Sequence, residues 1–184
     1  MKKLLLLPVL FALSLMANAQ STTYHAFKFD LGIGYAIPNG GGTSGGTKAG
    51  VTITLQPHYR VSDDFALGIR FEGAGLGYVN TAVSSGTKVY ILTSYCFTAE
   101  YYLTQTGFRP FIGAGGGLVN QEHAASGSGY KGLVSGGSRF GGFPEAGFEV
   151  GHFRMSIDYD VMGNNANYLS FKIGGFFGGG TKKK

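Results

Sequence analysis

The sequence predicts an all-β protein: an eight-stranded antiparallel up-and-down transmembrane β-barrel behind a cleaved N-terminal signal peptide. Three observations carry that expectation. Apolar and polar residues alternate with period two through eight segments, which is the strand period. The connections between the segments alternate long and short, as in a meander. Thirteen of the charged residues inside the segments can all be placed on one face, leaving the other face apolar or small.

The chain opens MKKLLLLPVLFALSLMANAQ. Lys2 and Lys3 give a basic start, Leu4 to Met16 form an apolar run, and Ala17-Asn18-Ala19 has the small-x-small pattern of a cleavage site. This reads as a secretory signal peptide over 1–19, cut after Ala19. The run is shorter than the ~20 residues that span a bilayer as a helix. No cysteine follows the cut to carry a lipid. The mature chain, Gln20 to Lys184, is expected to hold a barrel over 20–177 and a Gly/Lys-rich tail over 178–184.

Strands are expected at 24–37, 50–61, 65–74, 89–103, 108–118, 139–150, 153–162 and 168–177. The short connections are Ser62-Asp63-Asp64, Thr104 to Gly107, and Gly151-His152. The long, glycine-rich ones cover about 38–50, 75–88 and 119–138, with a smaller one from Gly163 to Asn167. An even strand number puts both termini on the side of the short turns. Helix is disfavoured throughout, because glycine and β-branched or aromatic residues interrupt every candidate segment.

The faces follow from the alternation. In the first strand Phe27, Phe29, Leu31, Ile33 and Tyr35 oppose Lys28 and Asp30. In the second, Ile53, Leu55 and Tyr59 oppose Thr54, His58 and Arg60, and in the third Leu67, Ile69 and Phe71 oppose Arg70 and Glu72. The remaining charges, Glu100, Arg109, Glu145, Glu149, Arg154, Asp158, Asp160 and Lys172, fall on the same side. Aromatic residues gather at both ends of the apolar face. Tyr59, Phe65, Tyr101, Phe153 and Phe177 lie toward the short turns, and Tyr35, Phe71 and Tyr159 toward the long loops. Two aromatic belts match the two interfaces of a bilayer. Ten residues at ~3.3 Å rise and ~45° tilt cover roughly 23 Å, close to the ~25 Å apolar band of such barrels.

Composition removes other classes. The net charge of +5 comes from the ends: without Lys2, Lys3 and Lys182 to Lys184, ten basic and ten acidic residues remain. A neutral body gives no basis for nucleic-acid binding. Cys96 is the one cysteine, so no intramolecular disulfide framework forms in the exported chain.

These features resemble the small eight-stranded outer-membrane β-barrels of the OmpA/OmpX type, the outer membrane protein beta-barrel domain family. The resemblance covers about 20–177. It rests on the leader, the alternation, FRPFIGAGGGL in strand five, FPEAGFEVGHFRMSIDYD in strands six and seven, and the closing YLSFKIGGFF. It implies an integral outer-membrane protein with outer-membrane lipid around it and the barrel assembly machinery as partner during insertion. In such barrels a terminal strand ending in an aromatic is the insertion signal, a role that falls here to Phe177. The family pattern brings no catalytic residue and no cofactor.

The inward charges therefore read as a packed interior network of Lys28, Asp30, Arg60, Arg70, Glu72, Glu100, Glu145, Glu149, Arg154, Asp158, Asp160 and Lys172, with Arg109 beside it. An eight-stranded barrel is just wide enough for side chains to fill, and buried charges must be paired. The carboxylates Glu145/Glu149 and Asp158/Asp160 share a face by strand spacing alone. GSGYKG, Gly127 to Gly132, matches a dinucleotide-loop pattern by letter but lacks its strand and helix. His123 near Glu122, Ser126 and Ser128 is a loop set without the fixed geometry that catalysis needs. His58 reads as a satisfied interior residue, His25 and His152 as strand-end residues, and Cys96 as inert. The expected function is a non-enzymatic monomer with a structural role or a surface role through its long loops toward an unknown ligand. The alternatives are a lipid-modifying barrel enzyme and a secreted ligand-binding barrel. The latter calls for an apolar interior and a Trp near the first strand, and this chain has no Trp. Intact-mass measurement of the exported protein should find a chain beginning at Gln20, and retention of Met1 would overturn the leader.

Overall fold

The structure is a computed structural model that describes residues 23–39, 47–79, 87–127, 130–162 and 167–182. The leader, with its cleavage residue Ala19, lies outside the described residues. Eight strands follow in order: β1 Phe27–Pro38, β2 Thr47–Arg60, β3 Phe65–Val79, β4 Thr87–Tyr102, β5 Phe108–Gly127, β6 Tyr130–Val150, β7 Phe153–Asp160 and β8 Tyr168–Gly178. Each pairs antiparallel with its sequence neighbours, and β1 pairs with β8 from Lys28–Gly178 to Pro38–Tyr168, which closes the barrel.

The period of two decides what faces where. Along β7, Phe153, Met155 and Ile157 point outward while Arg154, Ser156, Asp158 and Asp160 are buried inside. In β2, Ile53 is 65 % exposed between buried Thr52 and Thr54. Phe97 is 75 % exposed beside buried Cys96 and Thr98. The ordinary rule of a soluble barrel is inverted: large apolar side chains cover the outside and charged ones fill the inside.

Wide inward side chains need space in the facing strand, and glycine supplies it. His58 lies opposite Gly68, where an added Cβ would sit 2.3 Å from the imidazole. Phe111 lies opposite Gly147 and Phe143 opposite Gly115, and at both glycines an added Cβ would meet the facing ring at 2.5 or 2.6 Å. These glycines are packing residues. Gly107 and Gly151 serve differently: both have positive φ in the short turns, a conformation that costs other residues energy.

Strand limits differ from expectation at three loops and at both ends of the strand series. The expected loop at 119–138 is largely sheet, because β5 and β6 pair from Asn120–Ser138 out to Gly127–Tyr130, with an irregularity between Asn120 and Glu122. The glycines and serines there do not break the strands, because the inward-facing edge of each finds hydrogen-bond partners across the hairpin. The loops expected at 38–50 and 75–88 are shortened likewise, since β2 starts at Thr47, β3 reaches Val79 and β4 begins at Thr87. The first strand begins at Phe27 rather than at residue 24. Tyr24 instead turns inward and is bridged to Thr181, with His25 N donating to Gly180 O at 2.9 Å and Lys182 N to Thr23 O at 2.8 Å. The segment after Phe177, expected as a Gly/Lys-rich tail, thus stays beside the sheet through Lys182, and residues 23–26 and 179–182 lie across the turn-side mouth.

Outward and inward positions should respond oppositely to charge. Ile157→Arg or Leu55→Arg should cost ~2–4 kcal/mol at mid-membrane depth, whereas Thr54→Ser, inside the barrel, should cost much less. Urea unfolding of the refolded protein in vesicles reads both, and equal responses would refute the inverted packing.

Candidate functional site

The barrel interior holds the densest chemistry of the molecule, in two ionic clusters stacked along the axis. Nearer the turns, Arg154 on β7 contacts three carboxylates: Nη2 is 2.6 Å from Glu100 and 3.0 Å from Glu145, and Nη1 is 3.0 Å from Glu149. Lys28 on β1 contacts Asp30 at 3.1 Å and also pairs with Glu149. The Tyr102 hydroxyl accepts from Lys28 at 2.8 Å and lies 2.8 Å from Glu100. His58 sits between Asp30, 2.7 Å from Nδ1, and Glu100, 3.1 Å from Nε2. Arg60 and Arg109 each reach Glu149 only at 3.5 Å.

Nearer the loops, Arg70 on β3 pairs with Asp160 and contacts Asp158 at 3.2 Å. Lys172 on β8 pairs with Glu72 and contacts Asp158 at 2.9 Å. Hydroxyls complete the carboxylates: Tyr168 donates to Glu72 at 2.6 Å, Thr54 to Glu72 at 2.9 Å and Ser170 to Asp158 at 3.0 Å. The guanidinium of Arg70 also lies 3.2 Å from the Phe143 ring centre, and that of Arg154 3.9 Å from Phe111. A cation held by carboxylates in front and a ring behind keeps its stem out of water.

All twelve residues of the expected interior network are buried, and every one takes part in an ion pair. Between the clusters, at Asp30, Thr54, Gln56, Arg154 and Lys172, the remaining cavity is about 20 Å³, room for about one water. Two features were not anticipated. Tyr102 and Tyr168, which hold the networks together, lie in phase with Glu100 and Lys172, so the alternation already contained them. Beyond Tyr168 the interior turns apolar, with Leu76, Leu92, Val119 and Met162 packed together. Leu76 and Val119 fall beyond the expected ends of strands three and five, and Leu92 and Met162 keep the phase of Glu100 and Asp160.

The arrangement offers poor catalytic geometry among the described residues. Thr98 Oγ1 lies 3.2 Å from His58 Nε2, and Asp30 holds Nδ1, which has the outline of a nucleophile–base–acid chain. Each ring nitrogen faces a carboxylate oxygen, however, so neither has a lone pair free to take the Thr98 proton. The described cavity beside Asp30 is about 20 Å³. Glu72, Asp158 and Asp160 form an acidic cluster, but each of them is already ion-paired with Arg70 or Lys172. The His123 set and GSGYKG include residues or side chains outside the described ones, although the backbone there is hairpin, not a βαβ unit. Cys96 is buried and unpaired by any disulfide.

Known proteins place this architecture. No family model matches the chain, and no curated protein matches it in sequence. Solved structures do. The chain is similar to Neisserial surface protein A (TM-score 0.58, 16 % identity, covering 82 % of this chain and 94 % of that one). It is also similar to Ail, the attachment invasion locus protein of Yersinia pestis (0.54, 12 %, 84 % and 99 %), and to Ail in complex with the heparin analogue sucrose octasulfate (0.51). The fold is that of the small eight-stranded outer-membrane barrels. Those barrels correspond to nearly their whole length here, so the likeness concerns the complete barrel and not a fragment of sheet.

Removing one member of a buried network leaves its partners uncompensated. Arg154→Met should therefore destabilise the barrel by about 3–5 kcal/mol, because Glu100, Glu145 and Glu149 lose their shared cation. Adding Glu145→Gln should recover part of that loss, and urea unfolding of the single and double variants measures it.

Proposed function

We propose that this chain is an integral, monomeric outer-membrane barrel, exported by its leader and cleaved after Ala19, that neither catalyses a reaction nor conducts ions freely, and that acts at the surface. The observation that carries the reading is the filled interior. A lumen closed by interlocking ion pairs, with space for about one water between them, favours a plug over a channel. The inverted packing supports lipid as the surrounding solvent, because a closed barrel satisfies every backbone group that hydrocarbon would leave unpaired.

A surface role falls to the side opposite the chain ends. There the β5–β6 hairpin continues to Gly127 and Tyr130, beyond the last described β7 pairing at Gly142–Val161. Projecting elements on a rigid scaffold are common binding sites. The similarity to Ail, solved with a heparin analogue, and to a Neisserial surface protein is consistent with a surface ligand whose identity stays open. At the other end Phe177 is 66 % exposed on the closing strand, where a signal read by the barrel assembly machinery needs to be accessible.

Purified protein in planar bilayers should show no sustained porin-like conductance, and a stable large current would refute the plug. Deletion of 122–136, cut close to the strand irregularity, should leave a barrel whose gel mobility still shifts on boiling but abolish binding of cells or surface polymers. Failure to insert would make the hairpin part of the scaffold and overturn the division of roles.

A further inference from the structure

At the turn-side mouth two arginines carry more donors than the protein uses. Arg60 is fully buried and Arg109 is 5 % exposed. Neither Nε, Nη1 nor Nη2 of Arg60 has a hydrogen-bond partner, and Nε and Nη2 of Arg109 also lack one. Their nearest carboxylate is Glu149, 3.5 Å from both through Oε2, and that oxygen too is buried without a hydrogen bond. Its other oxygen is occupied by Lys28 and Arg154. Arg60 and Arg109 thus share one carboxylate oxygen between them, while Lys28 and Arg154 divide the other with Asp30, Glu100 and Glu145.

The geometry around them is fixed. Both guanidinium groups lie over the rings of Tyr24 and Tyr102 at 4.2 to 4.9 Å, so the two cations cannot swing apart. Arg109 and Glu149 line a cavity of about 250 Å³, walled by Tyr24, His152, Gly180 and Thr181. The chain ends build that wall.

We propose that this mouth cavity binds a protonated phosphate-type oxyanion, either inorganic phosphate or a terminal phosphate monoester. Its oxygens accept from Arg109, with Arg60 behind adding charge, and its P–OH donates to Glu149 Oε2. The donor requirement sets the ligand class. A fully ionised oxyanion such as sulfate satisfies the arginines but presents only acceptors to the carboxylate, so it leaves Glu149 unpaired and repelled.

The test uses the whole mature protein refolded in a maltoside detergent, which carries no phosphate. Arginine Nε–Hε resonances are followed while inorganic phosphate is added at constant ionic strength. Saturable shifts are expected at Arg60 and Arg109, with sulfate binding about tenfold more weakly, the worth of one charge-assisted hydrogen bond. Gly180→Phe should abolish the shifts by filling the mouth. A Cβ at that position meets nothing within 4 Å, so the fold has room for it. Arg109→Gln, with folding checked by the boiling-dependent mobility shift, should remove the response at Arg60. Vesicles of phosphatidylcholine with and without phosphatidic acid separate the sources. A shift with the acidic lipid assigns the site to a headgroup monoester, and a shift with free phosphate alone assigns it to a soluble ligand. No saturable shift from either, a response equal for sulfate and phosphate, or one that survives Gly180→Phe would overturn the site.

Discussion

The seam between β1 and β8 turns a strip of sheet into a tube, and the rest of the molecule follows from that closure. An open eight-stranded sheet would present two rows of unpaired amides and carbonyls, which hydrocarbon cannot satisfy. Joined from Lys28–Gly178 to Pro38–Tyr168, the edges cancel. The join tolerates little bulk: an added Cβ at Gly174 would sit 2.0 Å from the Leu31 carbonyl oxygen, and one at Gly34 would sit 2.7 Å from the Lys172 side chain. Glycines in the closing strands, usually read as weak points, here let two backbones and a lysine pass one another.

Closure also fixes the chemistry of the interior. Once the wall is complete, inward side chains have only one another as partners, and each charge must find its opposite across the axis. Arg154 on β7 meets Glu100 on β4, and Lys172 on β8 meets Glu72 on β3. These pairs join strands that share no backbone ladder. They brace the tube crosswise, while the ladders hold it around the circumference. An ion pair of this kind is worth little on a surface. In a desolvated lumen it is obligatory, since neither partner can lose the other without a large penalty.

Much of this was legible in the sequence, for a physical reason. The strand period is two and allows few readings, so Lys28 and Asp30 in β1, or Arg154, Ser156 and Asp158 in β7, fall on one side once the face is chosen. Strand ends were harder. Glycine, serine and asparagine between 119 and 138 suggest a loop by local preference, whereas pairing across the hairpin outweighs that preference. Long-range partners were invisible for a different reason. Alternation gives a side chain its face but not its height along the axis, so nothing in one strand tells Arg70 to meet Asp160 or Arg60 to lie over Tyr24. In the apolar layer, Leu76 and Val119 lie beyond the ends expected for strands three and five, and Leu92 and Met162 share a face otherwise marked by charges. The same in-phase count places those residues inside.

The strands differ greatly in length: β7 spans Phe153–Asp160, while β5 and β6 run for 20 and 21 residues. The outer wall is therefore cut obliquely, tall on one flank and low on the other. The added height is not an apolar one: the outward apolar residues described reach Leu118 and Phe140 on the tall flank and Val161 on the low one, and Val161 is bridged to Gly142, two residues from Phe140. Above that level β5 and β6 continue through Gln121, Glu122, Ser135 and Ser138. The apolar band is therefore level from flank to flank, and the oblique rim above it is a one-sided mast that gives the cylinder a front and a back.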